Sequence, residues 1–188
     1  MNKEAQLYQD LESVLYTHEQ IKEAVHKLGQ RITGDYEGKN PIMVCILKGA
    51  SVFFCDLIRE IDLQLETEFM ATSSYGASTV TSGEVRLLKD LDCSIHGRDV
   101  ILVEDIVDTG MTLNYLKQTL MGRGASSLRI AALLDKPSRR KAPLTVDYTC
   151  FEIPDAFVVG YGLDYNERYR NLPDVGVLSP KVYTQEGG

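Results

Sequence analysis

Short, uninterrupted apolar runs alternate along this chain with segments whose apolar residues recur at helical spacing, and that alternation admits few folds. The run Ile42-Met-Val-Cys-Ile-Leu47, opened by Pro41 and broken by Lys48-Gly49, offers solvent no polar face. Pro41–Leu47 therefore reads as a strand covered on both sides. Upstream, Thr17-His18-Glu19-Gln20 has the pattern of a capping box and opens a helix carrying Ile21, Val25, Leu28 and Ile32. Downstream, Ser51–Ile61 resumes at helical period through Val52, Leu57, Ile58 and Ile61. Leu63–Thr72 predicts a second strand, Glu84–Leu88 one arm of a ribbon, and Asp99–Val103 a further buried strand. A helix starting near Thr109 is ended around Gly122 and Gly124, and Ser127–Leu134, Tyr148–Glu152 and Phe157–Gly160 predict three more strands. Strands and helices alternating in this way imply an α/β fold, a mostly parallel sheet with helices on both faces. No repeat or linker divides the chain, so residues 1–188 are expected to form one domain.

Charge and cysteine usage narrow the functions open to such a fold. The formal net charge is −7 and the isoelectric point about 5.0. A nucleic-acid binder usually carries a basic face, so nucleic acid is not an expected partner. A small anion remains open, because backbone N–H groups at a helix start can hold a phosphate without a net basic charge. No run approaches the ~18 apolar residues of a membrane span, and Met1–Ser13 lacks an apolar leader core. Cys45, Cys55, Cys93 and Cys150 form no CxxC pair and read as buried, reduced thiols, which together point to a cytoplasmic protein without membrane partners. His18, His26 and His96 read as surface residues.

Chemistry concentrates in Val100-Ile-Leu-Val-Glu-Asp-Ile-Val-Asp-Thr-Gly-Met-Thr-Leu113. A buried strand there delivers two adjacent carboxylates, Glu104 and Asp105, to its C-terminal end, where ligands of open α/β sheets bind. The turn Asp108-Thr109-Gly110-Met111-Thr112 then offers backbone N–H groups and hydroxyls at a helix start, an anion nest with little side-chain bulk. Two carboxylates beside a phosphate cradle suit ribose hydroxyls or hydrated Mg²⁺. Taken singly, Asp108 reads as a helix cap, Lys136 and Arg170 as solvated cations, Phe157 as a core residue and Asp164 as a turn residue. Arg139-Arg140-Lys141 reads as a solvated turn, and Ser73–Gly83, rich in Ser, Thr and Gly, as a mobile loop.

The same segment resembles the phosphoribosyl-pyrophosphate signature of the type I phosphoribosyltransferases, and its Glu-Asp-Ile-x-Asp-Thr-Gly form is similar to their hypoxanthine-guanine branch. The resemblance continues through Leu47-Lys48-Gly49, Ser74-Tyr75-Gly76, Lys136 and the block Phe151–Arg170. It implies a sheet-and-helix domain with a small hood and a mobile loop. It also implies Mg²⁺-dependent transfer of the 5-phosphoribosyl group from phosphoribosyl pyrophosphate to hypoxanthine and/or guanine. On that resemblance Lys48 and Gly49 form a pyrophosphate loop containing a non-proline cis peptide. Glu104, Asp105, Ile106, Val107, Asp108, Thr109, Gly110, Met111 and Thr112 hold the phosphoribosyl group, with Arg170 on the leaving pyrophosphate. Lys136 donates to the purine O6, Phe157 stacks on the base, Val158 reads the ring edge through its backbone, and Asp164 lies in the same pocket. Glu104, Asp105 and Asp164 would serve the metal, Asp108 would be the general base at N7, and Ser74 and Tyr75 would lie in the closing loop. A homodimer or homotetramer is implied as well. Met111 departs from the pattern, since some relatives carry Lys there, so no phosphate contact is expected from that side chain.

Two other classes fit less well. A non-catalytic regulator keeping this pocket but binding RNA or DNA would show an altered acidic turn and a basic face, whereas Glu104, Asp105 and Asp108 are intact and the chain is acidic. A different nucleotide-binding fold lacks its motif: there is no GxxxxGK followed by Ser or Thr, and no GxGxxG opening a helix.

Overall fold

The computed structural model describes residues 7–74 and 85–184. Strand β1 (Leu11–Tyr16) leads into helix α1 (His18–Asp35), then β2 (Ile42–Leu47), α2 (Ser51–Arg59), β3 (Glu66–Ser74), β4 (Val85–Lys89) and β5 (Asp99–Val107). Helix α3 (Met111–Gly122), β6 (Ser127–Asp135), a 3-10 turn (Pro137–Arg139), β7 (Tyr148–Glu152), β8 (Val158–Val159), β9 (Val175–Leu178) and α4 (Pro180–Thr184) follow.

Six strands form one sheet in the order β4-β3-β2-β5-β6-β7, parallel throughout except for β4, which runs antiparallel to β3. The chain leaves β2 towards β3 and leaves β5 towards β6, in opposite directions across the sheet. Crossovers of one hand then put α2 and α3 on opposite faces. Alternation along β2 fills both sides: Met43 and Cys45 join the core under α1 and α2, and Ile42, Val44 and Ile46 join the core under α3. Phe53, Phe54 and Leu57 of α2 are fully buried, and each such side chain contributes roughly 1.5–3 kcal/mol. The expected α/β architecture is the one observed.

The capping box is present: Gln20 N–H donates to Thr17 Oγ1 at 3.4 Å and Thr17 N–H to Gln20 Oε1 at 2.9 Å. Elsewhere the boundaries move. The expected strand Asp99–Val103 continues to Val107, because Glu104, Ile106 and Val107 pair with Ala132, Leu134 and Asp135 of β6. The following helix consequently begins at Met111, with Gly110 at φ 75° turning the chain into it. Phe157–Gly160 shrinks to Val158–Val159 and leaves the main sheet. It joins a second, antiparallel sheet of order β1-β9-β8, the hood, and Gly160 at φ 99° ends it. The expected loop at Ser73–Gly83 starts later, since β3 runs through Ser74; Tyr75 and the rest of that loop lie outside the described residues. All four cysteines are free, but Cys55 and Cys93 are exposed where burial was expected, whereas the three histidines are exposed as expected. Among the described residues no helix is long and apolar enough to cross a membrane.

Candidate active site

The strand order places the site. Where the chain turns from β2 in one direction and from β5 in the other, the two carboxyl ends open a crevice, the usual ligand position in such sheets. The register Cys45 to Val103, carried on two residues, brings Leu47 level with Asp105. The Leu47–Lys48 peptide is cis, one bond before Lys48-Gly49. A Cβ on Gly49 would lie 1.7 Å from Asp105 Oδ2, and one on Gly162 would lie 2.1 Å from the Gly49 carbonyl oxygen. Only glycine allows the β2 loop, the β5 carboxylate and the loop after β8 to meet this closely.

The acidic pair is held at a cost. One oxygen of Glu104, Oε2, is shut off from solvent and has no hydrogen-bond partner among the described residues. Burial, followed by the charge of Asp105, holds the Glu104 carboxyl well above its usual range. Burial likewise pushes Asp105 up to about 6, against the Ile106 N–H bond to Oδ1 at 2.7 Å and the pull of Arg170. Beside Glu104, residues Ile106–Leu113 line a small concavity of about 140 Å³ around the start of α3, where the first N–H groups of a helix are free to take an anion. Met111 is 53% exposed. No three acidic, thiol or imidazole side chains form a metal-holding cluster among the described residues, so Glu104, Asp105 and Asp164 are not a ready-made cage.

Across the crevice stand the cations. Arg170 Nη2 pairs with Asp164 Oδ1 at 2.8 Å and with Glu167 Oε2 at 3.4 Å, and its Nη1 donates to the Gly162 carbonyl at 2.8 Å. Its Nε is buried and unpartnered among the described residues. Lys48 Nζ lies 3.2 Å from both carboxylate oxygens of Glu167. Asp164 Oδ2 accepts the Glu167 N–H at 2.9 Å, so Asp164 is fixed by the block that the sequence singled out.

The purine side is built from β6 and the segment after β7. Val107 pairs with Asp135, which puts the next residues, Asp108 and Lys136, level with each other; Lys136 N–H donates to the Val107 carbonyl at 2.9 Å. Lys136 is only 7% exposed, with Nζ donating to the Ala156 carbonyl at 2.7 Å, so it is no solvated surface charge. Phe157 is 45% exposed and no core residue; its ring meets Tyr165 edge-on and lies tilted against Tyr183. Val158 is buried in the hood opposite Val177. Of the expected loop pair, Ser74 ends β3 and Tyr75 lies outside the described residues.

The basic run is a turn exposed at Arg139 and Lys141, as expected, but its side chains and backbone are engaged with the site. Arg139 Nε donates to Asp108 Oδ1 at 3.0 Å and its Nη1 to Asp155 Oδ2 at 3.2 Å. Arg140 pairs with the Asp135 carboxylate and donates to the Asp108 carbonyl at 3.0 Å. Lys141 and Ala142 N–H groups both donate to the Thr109 carbonyl, at 3.0 and 3.1 Å. The turn is therefore stitched to the Asp108–Gly110 loop. The run of three cations offered no local sign of this, because its partners are far away in sequence.

Comparison with known proteins accords with this geometry. The model of the phosphoribosyl transferase domain matches residues 13–166. The chain is 55% identical over 174 residues to a hypoxanthine-guanine phosphoribosyltransferase of Bacillus subtilis, covering 93% of this chain and 97% of that one. It is 51% identical over 179 residues to the protein of the same name from Streptococcus thermophilus, covering 95% of this chain and 99% of that one. A crystal structure of a hypoxanthine phosphoribosyltransferase from Staphylococcus aureus superposes with a TM-score of 0.93 at 48% identity, covering 97% of this chain and 99% of that one. On the matched domain model and these identities over nearly the whole length, the chain belongs to the phosphoribosyltransferase family, among its hypoxanthine-guanine members.

Proposed function

We propose that this chain is a purine salvage enzyme. It transfers the 5-phosphoribosyl group from phosphoribosyl pyrophosphate to hypoxanthine and/or guanine, giving IMP or GMP and pyrophosphate. The observation that carries the reading is the meeting of Gly49, Asp105 and Gly162 at the open end of β2 and β5, beside the helix start at Gly110. An anion nest, two carboxylates and the cations Lys48 and Arg170 thus stand on neighbouring loops at the carboxyl end of the sheet.

In this reading the purine N9 attacks the anomeric carbon while the bond to pyrophosphate breaks on the opposite face. Asp108 takes or holds the N7 proton, and Lys136 donates to O6. Phe157 offers its exposed ring to the base, and Val158 presents its backbone to the ring edge. Thr109, Gly110, Met111 and Thr112 hold the 5′-phosphate through backbone and hydroxyl donors, with Ile106 and Val107 shaping the floor. Glu104 and Asp105 orient the ribose hydroxyls. Arg170 and the Lys48-Gly49 loop receive the pyrophosphate, Arg170 exchanging Asp164 and Glu167 for phosphate oxygens. Most of the acceleration comes from alignment and charge stabilisation, with no covalent nucleophile. The donor set fits magnesium, which keeps several waters and usually takes one or two carboxylates plus substrate phosphates. Asp164 with Asp105 or Glu104 would hold it, and when bound it neutralises charge on the pyrophosphate. Ser74, the last residue of β3, leads into the segment expected to exclude water during turnover. Four free thiols support a cytoplasmic setting, and assembly as a homodimer or homotetramer is part of the same proposal.

An absorbance assay with phosphoribosyl pyrophosphate, Mg²⁺ and hypoxanthine, guanine, xanthine, adenine or uracil tests the reading. Turnover of hypoxanthine or guanine, and none of adenine or uracil, is expected. Silence with every base, despite tight binding of phosphoribosyl pyrophosphate, would replace the enzyme by a regulator that kept the pocket.

A further inference from the structure

Asp108 and Lys136 are joined by a chain of alternating charge. The Lys136 ammonium lies 3.6 Å from Asp155 Oδ1, and Arg139 spans the gap from Asp155 Oδ2 to Asp108 Oδ1, at 3.2 and 3.0 Å. The backbone reinforces the link. Lys136 and Arg139 sit at the two ends of one 3-10 turn that contains Pro137, closed by Arg139 N–H to the Lys136 carbonyl at 3.0 Å. Register along β5 and β6 sets the height of Asp108 against Lys136, but it does not fix where two flexible side chains point.

A 6-oxopurine presents O6 and N7 side by side on one edge. An ammonium can only donate and an ionised carboxylate can only accept, so the pair reads a carbonyl next to a protonated nitrogen. An adenine amino group in place of O6 meets a donor instead. This selectivity depends on the spacing of the two side-chain heads. Arginine suits the bridging role because its planar fork donates in two fixed directions at once, which a lysine ammonium cannot do.

We infer that Arg139 and Asp155 are positioning residues that set the spacing and orientation of Asp108 and Lys136 at the O6/N7 edge of the purine. The inference rests on the roles proposed above for Asp108 and Lys136. Neither Arg139 nor Asp155 touches the reacting atoms, and both are partly exposed, so their ion pairs add little to folding stability. Kinetic effects of replacing them are therefore separable from unfolding.

The test is a panel of Arg139→Ala, Arg139→Lys, Asp155→Asn and the Arg139→Ala/Asp155→Asn double variant, with Asp108→Asn and Lys136→Ala as markers. The readouts are kcat, KM for hypoxanthine, and the affinity for phosphoribosyl pyrophosphate with Mg²⁺ but no base, by calorimetry. Arg139→Ala should lower kcat/KM for hypoxanthine about ten- to a hundredfold, as expected of a misplacement near 1 Å, with the affinity for phosphoribosyl pyrophosphate and Mg²⁺ in the absence of base little changed. Arg139→Lys should recover only part of that loss, and the double variant should be no worse than Arg139→Ala alone. If Asp108→Asn and Lys136→Ala are impaired while Arg139→Ala matches the unmodified chain, the positioning role is overturned and the active-site reading stands. If Arg139→Ala instead weakens phosphoribosyl pyrophosphate as much as hypoxanthine, Arg139 merely supports the phosphate turn, and the inference is again overturned. Full activity in both marker variants would overturn the assigned roles themselves.

Discussion

Glu104 is a carboxylate kept in the sheet with one oxygen out of reach of water and unpartnered among the described residues. A desolvated ionisable group is a cost to the ligand-free fold, because a site closed to water disfavours its charged form, and a neutral isostere removes that charge-burial cost. Glu104→Gln should therefore melt higher than the unmodified chain at pH 7 without ligand, yet turn over more slowly if Glu104 holds the ribose as proposed. A lower melting temperature would mean that the carboxylate is structural. Gly49 shows the opposite kind of residue, one that matters for what it lacks. Its neighbour Asp105 fills the space a side chain would need. Neither property can be read from the residue type alone, since a Glu after a buried strand is more often solvated and a Lys-Gly pair is more often a plain turn.

Helix α1 was legible from its capping box and its apolar spacing, but its far end depends on partners from other elements. Asp35, an acidic residue at a helix C-terminus, faces the unfavourable end of the helix dipole. It accepts from the Tyr148 hydroxyl of β7 at 2.7 Å and from Arg129 of β6 at 2.8 Å. The Tyr148 hydrogen bond, ahead of Arg129, holds its carboxyl below the usual range. A carboxylate whose pKa is lower in the folded state stabilises the fold above its unfolded pKa, and that contribution is lost as pH falls through the folded value. Asp35→Asn should lower the urea midpoint at pH 7 by the equivalent of roughly 0.5–1 kcal/mol, discounted for solvent exposure. The difference from the unmodified chain should hold down to pH 5 and shrink below about pH 4. A difference that grew towards acid would show that the carboxylate destabilises the helix end. The β5 boundary carries a related lesson. Glu104 and Asp105 looked like the polar end of a strand, yet pairing with β6 carried the strand on to Val107, because backbone hydrogen bonds to a neighbour outweigh local polarity.

Across the whole molecule, the site is assembled from four stretches distant in sequence: Leu47–Gly49, Glu104–Thr112, Lys136–Arg140 and Asp155–Arg170. A ligand that touches several of them adds to the ties that already join them, Lys48 to Glu167, Arg139 to Asp108 and Lys136 to the Ala156 carbonyl. Phosphoribosyl pyrophosphate with Mg²⁺, at about a hundred times its Kd, should stabilise the fold by about 2.7 kcal/mol, a rise of roughly 5–10 °C in Tm. Omitting Mg²⁺ should reduce the shift, and an unchanged Tm with both present would exclude binding. By itself the sequence determined the class of fold, the Thr17 cap, the Asp108–Thr112 turn and the branch of the family, because these depend on local spacing and on one contiguous motif. Tertiary structure alone decided the rest. Strand order made β2 and β5 neighbours, so that Gly49 met Asp105. The register of β5 on β6 set Asp108 beside Lys136, and the fold brought Arg139 to Asp108 and Asp155. It also joined the strand expected near Phe157–Gly160 to β1 and β9, two segments that the apolar pattern did not announce, in the hood sheet. The physical reason is common to all of these: a side chain's pattern states which face it prefers, whereas its partner is chosen by chain crossings that no local pattern records.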